Sequence, residues 1–168
     1  KQLLGFVQTA TENERVCAAF LRQLVERGFT APDGLLVVLD GAKGLRAAVR
    51  TVFGTSAQVQ RCQWHKRENV VRYLAKRQQP EWRRKLQAAY ERPTYEAAKA
   101  ALTRIHRELR LLNASAAASL LEGLEETLTL HRLGLVRELG ASFKTTNALE
   151  SVMAQVQRRT GRVTHWRT

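Results

Sequence analysis

Five consecutive apolar residues, Leu35-Leu36-Val37-Val38-Leu39, interrupt an otherwise periodic chain and end in Asp40-Gly41. With no polar alternation, the run predicts a strand covered on both faces, as in the middle of an α/β sheet. Upstream, the apolar stretch Leu3–Val7 predicts a short strand. Thr11 and Glu14 have capping-box spacing, and Val16, Cys17, Phe20, Leu21, Leu24 and Val25 then recur at helical intervals. Gly28 suits the end of that helix. Strand, helix, strand in that order predicts a parallel crossover. Cys17, on the apolar face, reads as a buried thiol without chemistry.

After Asp40, the residues Leu45, Ala48, Val49 and Val52 share a helical face that Phe53-Gly54 closes, and Ala57–Cys62 alternates as a short strand. From Trp64 the period is helical for a long way. Trp64, Val71 and Leu74 mark a first helix, and Pro80 opens a second with Trp82, Leu86, Ala89 and Tyr90. Thr94 caps a third, striped by Tyr95, Ala98, Leu102, Ile105, Leu109 and Leu112. Asn113 caps a fourth, with Leu120, Leu121, Leu124 and Leu128 inward, and Gly134 ends the block. Leu135–Lys144 reads as irregular. Thr146 then caps a last helix with apolar positions Leu149, Val152, Met153 and Val156.

Composition narrows the partner more than the fold. The 168 residues carry 28 Lys and Arg against 15 Asp and Glu, a formal net charge of +13, which favours a polyanion such as nucleic acid. No apolar run approaches the length of a membrane span, and the first residues lack a signal-peptide pattern. The two cysteines, Cys17 and Cys62, make no disulfide framework and suit a reducing compartment.

Four features bear on chemistry. Asp40 stands where α/β sheets place their ligands, yet Asp-Gly after a strand is also a common turn pair. Cys62 and His65 have the C-x2-H spacing of half a zinc site, but His106, His131 and His165 offer no second half. A local structural role at the strand–helix junction is the favoured reading of the pair. Glu150, in a first helical turn, complements the helix dipole and also flanks a possible cleft. The final stretch holds Arg158, Arg159, Arg162 and Arg167 with Trp166 and no acid; it reads either as a solvated helix end or as a surface for phosphate contact and base stacking.

In their order along the chain, LDGAKGL (39–45), QRCQWHKREN (60–69) and TTNALES (145–151) closely resemble the mutator-type DDE transposases of bacterial insertion sequences. TENERVCAAFLRQLVERG (11–28) resembles the segment ahead of that family's second acid. The resemblance implies an α/β, RNase H-like core interrupted by a large all-helical insertion. It divides the chain into a partial core (1–66), the insertion (67–143), and a returning core helix with Glu150 and a basic tail (144–168). Asp40 corresponds to the second acid and Glu150 to the third, both as catalytic metal ligands. Two Mg²⁺ or Mn²⁺ ions are implied, serving in-line attack on phosphodiesters. Cys62, His65 and Asn147 correspond to orienting residues near the site.

The implied partner is double-stranded DNA, both terminal inverted repeats and target, bound by a homo-oligomer. Lys43, Lys66, Arg67, Arg158, Arg159, Arg162, Trp166 and Arg167 are the expected DNA contacts. The family's first acid belongs to a strand upstream of Leu3–Val7, so the expectation is an internal piece of a transposase, inactive alone, without that acid and without the DNA-end-binding region. The expected location is the bacterial cytoplasm, at the nucleoid when DNA is bound. An inactive DNA-binding relic and a different RNase H-like nuclease are the alternatives.

Overall fold

A computed structural model describes residues 2–7, 9 and 11–161. The apolar run forms strand β1 (Leu35–Leu39), and β2 (Ala57–Arg61) lies parallel to it, in register from Leu35 opposite Ala57 to Leu39 opposite Arg61. Helix α1 (Glu14–Glu26) precedes β1, and α2 (Lys43–Phe53) connects the two strands. α1 packs on α2 through Cys17, Ala18 and Ala48, with Leu21, Leu45 and Val52 around them. Cys17 is accordingly a buried thiol. α1 starts two residues later than the capping-box spacing predicts: Asn13, not Thr11, accepts from the Val16 N–H at 3.0 Å.

Two expectations fail in this half. Leu3–Val7 forms no strand, and Leu3, Leu4, Phe6 and Val7 are exposed. An apolar run becomes a strand only when a neighbour takes its backbone groups, and here the parallel unit is β1–α2–β2. Nor is β1 sealed on both faces: only Leu39 is fully buried, the rest being half-covered.

The rest of the described chain is helical: α3 (Gln63–Val71), α4 (Gln79–Tyr90), α5 (Tyr95–Leu112), α6 (Ala114–Leu121), α7 (Leu124–Thr127), α8 (Thr129–Arg132), α9 (Val136–Phe143) and α10 (Asn147–Thr160). Thr94 and Asn113 cap α5 and α6 by accepting from Ala97 N and Ala116 N. The larger core lies here. Leu86, Leu102, Leu109 and Leu120 of α4, α5 and α6 are fully buried together with Val70, Val71 and Leu128. Each such side chain contributes about 1.5–3 kcal/mol of transfer free energy.

The long fourth helix expected from the leucine pattern is broken. The chain turns at Glu122–Gly123, where Gly123 takes a φ of +65°, and α7 and α8 follow as single turns. Leu121 points outward as a result. Leu135–Lys144, expected to be irregular, contains α9.

A polar joint fixes the helices to the sheet. Gln60 is fully buried in β2; its amide nitrogen donates to Thr127 O at 3.0 Å, and its carbonyl accepts from Leu130 N at 2.9 Å. Gln63 donates to the same Thr127 carbonyl at 2.9 Å. Thr129 Oγ1 donates to Val59 O, so α8 covers the outer edge of β2. Among the described residues no helix is long and apolar enough to cross a membrane.

Candidate functional site

Asp40 directly follows β1, and its Oδ1 accepts from Ala42 N at 3.1 Å. It is therefore a turn residue, as Asp-Gly suggests, while its exposed carboxylate also borders a cleft of about 250 Å³. Both glycines of LDGAKGL have steric reasons. Gly41 has a φ of +116°, and a Cβ on it would stand 2.7 Å from Nε and Nη2 of the buried Arg61. A Cβ on Gly44 would stand 2.6 Å from Glu12 O and 2.9 Å from Asn13 C. The bare first turn of α2 thus lets the segment ahead of α1 lie against it.

Cys62 directly follows β2, fully buried, with its N–H donating to Leu39 O at 2.6 Å. One turn into α3, His65 brings Nδ1 to 3.2 Å from Cys62 Sγ, while Trp64, half-exposed, meets the His65 ring edge-on at 4.9 Å. The C-x2-H step is a local contact, and among the described residues no three His, Cys, Asp or Glu side chains gather closely enough to hold an ion.

The returning chain docks on this junction. Lys144 O accepts from Gln63 N at 2.9 Å. Thr146 is buried, with Oγ1 at 2.6 Å from Glu150 Oε1, 3.3 Å from His65 Nδ1 and 3.6 Å from Cys62 Sγ. His65 Nε2 stands 3.9 Å from Glu150 Oε1, beyond hydrogen-bond range. Glu150 is about half exposed and lines the same cleft as Asp40, His65 and Thr146.

Glu12 also lines that cleft. It escapes a reading of the sequence because it lies in a loop and comes near only through the contact at Gly44. Asn147 opens α10 on the exposed surface.

The expected DNA contacts separate. Lys43, Arg158 and Arg159 are exposed, whereas Arg67 is partly covered and bonded to Glu68 and Gln87. Lys66 is not a surface cation. It is 1% exposed, and its Nζ donates to Ser119 O at 2.7 Å, to Glu122 O, and to Glu122 Oε2 at 2.9 Å. It thereby satisfies carbonyls at the C-terminal end of α6, which leaves it no proton for a phosphate. Burial pulls the Lys66 ammonium below its ordinary value despite the opposing hydrogen bond it donates to Glu122. Burial pushes Glu122 up, but Lys66 and Arg61 outweigh it and hold the carboxyl below the usual range. Arg162, Trp166 and Arg167 lie outside the described residues.

A sequence profile described as Transposase, Mutator family, matches residues 1–167. The chain is 33% identical over 163 residues to the transposase for insertion sequence element IST2 of Acidithiobacillus ferrooxidans, covering 96% of this chain and 53% of that protein. It is 30% identical over 160 residues to the transposase for IS6120 of Mycolicibacterium smegmatis, covering 95% and 48%. To the transposase for IS256 in transposon Tn4001 of Staphylococcus aureus it is 27% identical over 161 residues, covering 95% and 40%. The chain thus spans about half the length of the curated relatives it matches. With the profile matched nearly end to end and three such relatives alongside, the chain belongs to the Mutator family of transposases.

Proposed function

We propose that this chain carries part of the catalytic domain of a DDE transposase that cleaves and joins DNA strands with Mg²⁺ or Mn²⁺. One observation carries most of the weight: Asp40 and Glu150, far apart in sequence, border one cleft. In this proposal β1–α2–β2 belongs to an RNase H-like core, residues 67–143 are the insertion, and α10 returns the third acid. The chain supplies two of the triad's three acids.

The donor set suits a hard divalent cation. Mg²⁺ needs only one or two carboxylates and completes its shell with water and substrate phosphate. Asp40 and Glu150 are the residues that would hold it; when bound, such an ion polarises the phosphodiester and activates the attacking oxygen. The protein's own contribution is placement. Ala42 N holds one oxygen of Asp40, and Thr146 holds one oxygen of Glu150. Lys43, Arg158 and Arg159 form the exposed basic flank for DNA, continued in sequence by Arg162, Trp166 and Arg167.

In a protein containing this segment, Asp40→Asn and Glu150→Gln are each expected to reduce Mn²⁺-dependent cleavage of a DNA duplex to background, with mobility-shift affinity unchanged. Cleavage surviving either substitution removes that residue from the catalytic list. A DNA affinity that does not fall with salt removes the basic flank, because each phosphate contact contributes about 0.9 to the log–log slope.

A further inference from the structure

Thr94 and Thr146 hold the same position, one residue ahead of a helix, and behave differently. Thr94 is extended, at φ −119° and ψ 158°, and its hydroxyl accepts from the N–H of Ala97 at 3.2 Å, as a capping threonine does. Thr146 sits at φ −90° and ψ 11° and caps nothing with its side chain. It is buried, and its hydroxyl is turned to Glu150, His65 and Cys62. The usual helix-starting role has been given up for contacts inside the site.

Those contacts matter because, among the described residues, α10 has little else to locate it. None of its own residues is buried, and Leu149 and Val152 stand 57% and 37% exposed. Packing of the helix therefore does not set the place of Glu150. What anchors the helix start is the Lys144 carbonyl on Gln63 N and the Thr146 side chain against the Cys62–His65 step.

We infer that Thr146 is the positioning residue for Glu150, its hydroxyl linking the Cys62–His65 step to the carboxylate. Proton count fixes the direction of the chain. A carboxylate only accepts, so the single hydroxyl proton of Thr146 goes to Glu150 Oε1 at 2.6 Å. The hydroxyl oxygen then accepts from His65 Nδ1 at 3.3 Å, so the imidazole carries its proton on Nδ1, which also faces Cys62 Sγ at 3.2 Å. One oxygen of Glu150 is thereby held and the other is left to the cleft. The C-x2-H step acts as the seat of a latch. This inference rests on the proposed cation-holding role of Glu150 and adds the part that aims it.

The test has three readouts on the full chain. In the parent, the ¹⁵N spectrum of the His65 ring shows the neutral tautomer protonated on Nδ1; a ring protonated on Nε2 alone overturns the inference without any variant. Thr146→Val is expected to speed amide exchange in the first turns of α10 and to weaken Mn²⁺ binding by about 10- to 100-fold, the usual effect of losing a partner behind a metal ligand. Thr146→Ser, which keeps the hydroxyl, is expected to restore both. Unchanged Mn²⁺ affinity in Thr146→Val, with Glu150→Gln weakened, overturns the positioning role. If Glu150→Gln also binds Mn²⁺ as the parent does, the cation-holding role fails, and the imidazole spectrum and amide exchange alone decide the latch: a changed ring signal and faster exchange in Thr146→Val sustain it, and unchanged values overturn it.

Discussion

Replacing Lys66 by methionine separates a structural cation from a DNA-binding one. The substitution keeps the length of the stem and removes the ammonium that serves Ser119 O and Glu122 O behind α6. A hydrogen bond from a charged donor contributes about 1.5–3 kcal/mol, so losing both costs about 3–6 kcal/mol, with Ser119 O left without the ammonium and Glu122 O keeping only Arg61 Nη1 at 3.1 Å. Burying a thioether in place of the ammonium returns about 1 kcal/mol, which leaves a net loss of about 2–5 kcal/mol. Glu122 adds little, since its side chain is 49% exposed and water takes over its solvation. For a chain of this size the Tm falls by roughly 4–20 °C. Urea unfolding followed by circular dichroism measures the change, with exposed Lys43→Met as the control that stays within about 0.5 kcal/mol. A Lys66→Met midpoint as close to the parent as that control refutes the structural role. A salt dependence of DNA affinity shallower by about 0.9 in log–log slope would instead make Lys66 a phosphate contact.

Two further outcomes follow from the geometry. Gly44→Ala should destabilise even though alanine is the better helix former by about 1 kcal/mol, because its methyl would press on the Glu12 and Asn13 backbone and overpacking costs about 1–3 kcal/mol; a variant more stable than the parent in urea contradicts the close approach. Burial lowers the pKa of His131, whose Nε2 lies 3.1 Å from both Tyr90 O and Arg92 O. The unfolded chain therefore takes up the proton first, so this contribution to stability is intact above the ordinary value of 6.5 and lost as pH falls through the lower folded value. Urea midpoints at pH 7.5 and 5.5 should diverge in the parent and diverge less in His131→Gln; equal divergence in both removes His131 as the cause.

What the sequence disclosed was what local chemistry decides. The apolar run into Asp-Gly, the helix on the Leu45 face, and the caps at Thr94 and Asn113 depend on neighbours a few residues away, and all of them formed. Leu3–Val7 had the composition of a strand, but pairing is a long-range matter that composition does not carry. The break at Gly123 was hidden for a similar reason: the leucine spacing continues through it, while Arg61 and Lys66 reach in from more than fifty positions upstream to meet Glu122. That reach also turned a conspicuous lysine of QRCQWHKREN into an interior group. In the candidate site, Asp40 and Glu150 were visible as residues and Cys62–His65 as a spacing. The task of that spacing was invisible, since Thr146, which it holds, comes 84 residues after Cys62.

The joint between sheet and helices addresses its far side almost entirely through the main chain. Gln60, Gln63 and Lys66 meet Thr127 O, Leu130 N, Ser119 O and Glu122 O, and of these contacts only the Lys66–Glu122 ion pair reads a side chain. The mount's own hydrogen bonds would therefore survive substitution at Ser119 or Thr127 if the backbone keeps its path, while Leu120, Leu128 and Gly123 in the same stretch stay fixed by the core and the turn. Adding or deleting one residue there would shift every station at once. The joint is thus more sensitive to a change of length than to a change of side chain at its main-chain stations, so related chains are expected to agree in how many residues this stretch contains.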